Sequence, residues 1–176
     1  DDTTTASAGA LIADATSVAN TGVNFALGIT DSFAAVTDGT GVHANIDKID
    51  AKDADVNITV NDAAVANVSE ANVSAINALQ AATTGTVTAT IDGNAAELDD
   101  LTATGAGGNA TMALTITVDD TATASAGAAI ADATSVANTG VNFALGITDS
   151  FAAVTNGTAV HGDIDKIDAK DADVNI

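Results

Sequence analysis

The chain has 176 residues and a formal charge of −20, with 24 acidic side chains set against four lysines. That balance argues against a nucleic-acid partner, since a phosphate backbone is held by Lys and Arg clusters, and the absence of Cys excludes disulfides, thiolate metal sites and thiol catalysis. An apolar fraction of 47% is ample for a core, but aromatics at 2% mean that the core is thin and built of small side chains.

In chain order, Leu11/Ile12, Ala15 and Val18/Ala19 form a first apolar set at helical spacing, with Ser7 placed to cap it. The loop Thr21-Gly22 leads to a strand over residues 23–31. A second helical set, Val42, Ile46 and Ile49, follows Thr37 and Thr40 as capping residues. Val56, Ile58 and Val60 then alternate with Asn57, Thr59 and Asn61, the period-2 pattern of a strand with one wet face, and Asp62 closes it. Ser69 precedes the third helical set, Val73, Ile76 and Leu79, and residues 87–92 are the next strand. Asn94 precedes the fourth set, Ala95, Leu98 and Leu101, and residues 114–120 are the last strand of the series. Strands begin every 30 residues or roughly so, a period typical of solenoids and arrays.

Residues 1–58 recur as residues 119–176, differing only at Thr4/Ala122, Leu11/Ala129, Asp38/Asn156, Gly41/Ala159, Ala44/Gly162 and Asn45/Asp163. Residues 1–118 are thus one tandem repeat of four coils, and residues 119–176 are the first half of the next, continuous with it. The ends fall where no domain would stop, so the chain reads as a window on a longer repetitive protein. The expected fold is α/β, a parallel β-α solenoid with coils of roughly 30 residues. The alternative is a series of all-β sandwich repeats, against which stand the four helical linkers and the small number of strands.

Residues 76–93, with the pattern I-x-x-L-x-A-x-x-x-G-x-V-x-A-x-I-x-G, and residues 114–124 resemble the Ala/Thr/Asp-rich tandem repeats of large surface proteins in cyanobacteria and other Gram-negative bacteria. The resemblance implies secretion and a place in a surface layer, a filament or adhesion. The glycine-rich nonapeptide of calcium β-rolls does not occur, so no calcium site is carried over from them.

Three groups of residues could carry chemistry. Asp31, Asp62, Asp92, Asp120 and Asp149 end successive strands and would form a column about 4.8 Å apart. Calcium could relieve their repulsion, or each could close its own turn. No other cofactor is expected. His43 and His161, each followed by carboxylates, are a metal or acid-base candidate, against the simpler reading of an exposed helix residue. Asn24, Ala26, Gly28, Thr30, Asn57, Thr59, Asn61, Thr88, Thr90, Thr115 and Thr117 would line a flat, uncharged outer sheet face that could pack against another sheet. No nucleophile stands beside a base, so an enzyme is not expected. No run reaches the roughly 18 apolar residues of a membrane span, so membrane insertion is not expected either. The resulting expectation is a structural segment of a secreted protein, extracellular or on the cell surface, self-associating into a fibre or coat. A calcium-stiffened adhesin extender or an ice-binding repeat is the alternative.

Overall fold

The computed structural model describes residues 3–19 and 22–176; Thr21 of the first expected loop lies outside them. The elements are α1 (Ala6–Asp14), β1 (Ile29–Asp31), α2 (Phe33–Val36), α3 (Ala44–Asp50), β2 (Ile58–Val60), α4 (Glu70–Ala82), β3 (Thr86–Gly93), α5 (Ala95–Leu98), β4 (Thr111–Val118), α6 (Ala124–Asp132), β5 (Val141–Phe143), α7 (Phe151–Val154) and α8 (Gly162–Asp168). The strands form one sheet in sequence order, β1 to β5, and every pairing is parallel. The fold class is therefore α/β, a five-stranded all-parallel sheet alternating with helices.

Alternation fixes which face is inside. Ile58, Val60, Val87, Ala89, Ile91, Leu114, Ile116 and Val118 are buried, while Thr88, Thr111 and Thr115 between them are exposed. Each buried Ile or Leu contributes about 1.5–3 kcal/mol by leaving water. Register stacks like on like: Ile29 lies beside Ile58 and Ile58 beside Val87, 29 positions apart in each case. Val87 lies beside Met112 and Ile116 beside Val141, 25 apart. The spacing is thus of two kinds, because the longer connections carry an extra helix or a longer one.

The helices pack on the apolar face, α1 against α3 and α6 against α8. Gly9 permits the first contact, since a Cβ there would stand 2.8 Å from Ile49 Cδ1. The third helical set is met in full by α4, whose Val73, Ile76 and Leu79 are buried. Its Ser69 and Asn72 form a reciprocal capping box. The second set is met in part by α3, preceded by the unforeseen single turn α2: Ile46 and Ile49 are buried in α3, Val42 lies ahead of it, and its cap is His43 rather than Thr37 or Thr40.

The first set is not. α1 starts at Ala6, ends before Ala15 and buries Ala6, Gly9, Ala10 and Ala13, leaving Leu11, Ile12 and Val18 exposed. Its cap is Thr5 rather than Ser7, its oxygen accepting from Ala8 N at 3.2 Å. The fourth set shortens to the one turn of α5, with Leu101 buried just beyond it.

The strand expected over residues 23–31 is broken. Phe25 O accepts from Gly28 N at 2.6 Å, and Gly28 takes φ 75°, so a turn separates residues 23–25 from β1.

Candidate functional surface

The outer face of the sheet carries an ordered threonine array. Thr30, Thr59 and Thr88 lie side by side across three strands and lead to Ala113. Thr86 pairs with Thr111 and Thr90 with Thr115, and Thr117 lies between Asp92 and Asn142. These side chains are half-buried or exposed. Apart from Asp92 the rows carry no charge, and methyl and hydroxyl groups alternate on a wet pleated surface.

Five residues assigned to that face lie outside the strands. Ala26 and Gly28 belong to the turn before β1. Gly28 is buried, and a Cβ there would lie 2.5 Å from Asn57 O; the approaching neighbour is the backbone just before β2, not a partner sheet. Asn24 is exposed but precedes the turn, outside β1. Asn57 also precedes its strand, and its Oδ1 accepts from Thr86 N at 2.8 Å. Asn61 is exposed just after β2, its N–H donating to Asp31 O.

The strand-closing aspartates do not form a column. Asp31 lies opposite Val60, so the next acid, Asp62, is two residues further on. The reason is what each carboxylate serves. Asp31 accepts from Ala6 N at 3.0 Å, Asp120 from Ala95 N at 2.7 Å and Asp149 from Ala124 N at 3.1 Å; Asp62 accepts from Phe33 N. Each acid therefore caps the first turn of a helix 25 or 29 residues earlier in the chain, taking an orphan N–H at the positive end of that helix. α2 and α5 depend on it most, because Ser32 and Asn94 make no side-chain cap of their own. Asp92 is the exception. It lies within β3, beside Thr117, and its Oδ1 is buried without a hydrogen-bond partner, as is Glu97 Oε2. Among the described residues no group of three or more His, Cys, Asp or Glu side chains is arranged to hold a metal ion.

The histidines are caps as well. Asn45 N donates to His43 Nδ1 at 3.1 Å and Asp163 N to His161 Nδ1 at 3.3 Å.

A pair of acids that the sequence reading passed over has the same kind of role. Asp53 is 6% exposed and accepts from Phe25 N at 2.6 Å; its duplicate Asp171 accepts from Phe143 N at 2.8 Å. Burial pushes the Asp53 carboxyl above its ordinary value, the Phe25 N–H pulls it back, and the neighbouring Asp55 carboxyl raises it again. The D-x-D spacing at residues 53–55 and 171–173 was the available signal. Lysines make further ties: Lys48 to Asp14 and Lys166 to Asp132, each at 2.7 Å, and Lys170 to Thr134 O at 2.8 Å. The two exposed ion pairs contribute up to about 1 kcal/mol each.

No protein-family model matches the chain, and neither the curated proteins nor the solved structures compared with it include a match.

Proposed function

We propose that the chain is a stretch of β-α solenoid, four coils to each 118-residue unit, in a secreted repetitive protein that builds an extracellular fibre or cell-surface coat by self-association. The observation that carries this reading is the repetition of three cross-coil ties at an interval of one unit. Asp31 to Ala6 recurs as Asp149 to Ala124, Asp53 to Phe25 as Asp171 to Phe143, and Lys48 to Asp14 as Lys166 to Asp132. Bonds that join one coil to the next build length, as quasi-one-dimensional proteins do. A high negative charge keeps such a rod soluble, while the uncharged threonine rows are where two rods can approach.

Lateral assembly is tested by Thr59→Lys with Thr88→Lys, viewed by electron microscopy beside the unaltered chain. Both side chains lie on the outer face, so the fold persists and filament or sheet formation is lost. Normal assembly of the double variant sinks the packing reading. The register of Thr30, Thr59 and Thr88 also favours a second reading, a water-ordering face that binds ice, and thermal hysteresis of the unassembled chain separates the two.

A further inference from the structure

The duplication puts one sequence into two surroundings. In the second unit, α6 and β5 lie against α5 and β4. Thr104 N donates to Asp132 O at 2.9 Å, Ser135 N to Met112 O at 2.8 Å and Ile116 N to Gly140 O at 2.9 Å; the Thr134 hydroxyl donates to Leu114 O at 2.7 Å. Under that cover Ile130 and Ala133 are 0% exposed, Thr134 1% and Val141 2%. The same side chains in the first unit are Ile12, Ala15, Thr16 and Val23. There Ile12 is 46% exposed, Ala15 is exposed, and Thr16 and Val23 are half-buried. Among the described residues no strand pairs with residues 23–25. A groove of about 240 Å³ runs there, lined by Ile12, Val23, Phe25 and Leu27 among others.

We infer that this face is a docking surface for residues 95–118 of a further 118-residue unit, stacked in line in the same chain and seated as α5 and β4 are on α6 and β5. The sequence of the face is that of its covered duplicate, apart from Thr4, which lines the groove, in place of Ala122 and Leu11 in place of Ala129. Ala129 is only half-buried, which leaves room for the larger side chain. A second whole molecule does not fit the role, because its own residues 95–118 already hold α6 and β5. The inference rests on the stacked-coil part of the proposed function and not on packing of the threonine face.

The test uses the absence of cysteine. Single variants Ile12→Cys and Ile130→Cys are labelled with a thiol reagent, in the present chain and in one prolonged by repeating residues 62–118 ahead of Asp1, a junction that reproduces the sequence at residues 118–119. In the present chain position 12 labels rapidly and position 130 is protected. In the prolonged chain the rate at position 12 falls to that at position 130. Unchanged rapid labelling at position 12, with position 130 still protected, overturns the inference. So does loss of protection at position 130 in the prolonged chain, since a matching coil added to a vacant edge leaves the far end of the stack intact. Protection at position 12 together with normal assembly of the threonine-to-lysine variant removes the lateral reading alone.

Discussion

At the scale of single residues, one side-chain type does unequal work according to what lies opposite it. Asp120 accepts from the first N–H of α5, and no other side chain caps that helix. Asp120→Ala is therefore expected to lower stability by about 1 kcal/mol, the usual cost of a lost cap, read as a smaller midpoint in urea unfolding. Asp92 has a buried oxygen with no partner, an arrangement that costs free energy. Asp92→Asn is expected to leave the urea midpoint unchanged or raise it, and a drop as large as that of Asp120→Ala would show that Asp92 has a role in the fold. Gly28 is a third case. At φ 75° with a neighbouring carbonyl 2.5 Å from any added Cβ, Gly28→Ala is expected to cost about 1–2 kcal/mol from the left-handed backbone alone, with the clash adding to it. Of these three, the sequence marked the acids as strand ends; Asp120 follows β4, whereas Asp92 lies within β3. It could not show that the partner of Asp120 lies 25 residues back in the chain.

At the scale of elements, α1 and α6 are nearly the same helix, and both bury the alanine face that begins at Ala6 or Ala124. Their other side differs in burial only because α5 and β4 cover the second. Ile130→Ala is expected to cost about 2–5 kcal/mol, the range for emptying a filled core site, and Ile12→Ala less than about 0.5 kcal/mol, as for ordinary surface changes. Paired melts of the two variants measure this, and equal costs would mean that the two faces are equally covered in solution. Helical spacing read α4 in full and α3 at Ile46 and Ile49 because those apolar stripes are the ones buried. It misread α1 because small residues, with little hydrophobic signal, make the close contact at Gly9, whereas Leu11 and Ile12 face outward. The capping reading had the same limit: Ser69 was legible as a serine just ahead of an apolar set, whereas a histidine cap such as His43 carries no such signal.

For the whole molecule charge is the governing influence. Burial, then Asp47 and Asp53, push the Asp50 carboxyl above its ordinary 3.8. Burial, then Asp100 and Glu97, do the same to Asp99, and Asp53 is raised as described. The folded chain then holds protons at a pH where the unfolded chain has released them, so these three groups favour the fold on acidification, and their contribution is lost as pH rises through the raised values. Relief of self-repulsion acts in the same direction. Melting temperatures at low ionic strength are expected to rise between about pH 5.5 and 4, where carboxylates alone titrate, and added salt is expected to flatten the rise by screening. A steady fall over that interval would mean that the capping carboxylates outweigh the raised ones.

Residues 23–31 and 141–149 are identical, and they separate what sequence determines from what tertiary structure decides. Both copies bend at the same place, with Gly28 at φ 75° and Gly146 at φ 77°, and both present Phe25 or Phe143 N–H to an aspartate. The turn is a property of a few adjacent residues. The acid lies 28 residues further along in both copies, so the sequence alone determines both. Which end becomes strand is different. In the first copy it is Ile29–Asp31, paired with β2, and in the second it is Val141–Phe143, paired with β4. A strand exists only where a neighbour supplies the other half of its hydrogen bonds, and the neighbour is set by the order of strands in the sheet. The alternation therefore wrote a sheet into the sequence, while tertiary structure chose where its edges lie.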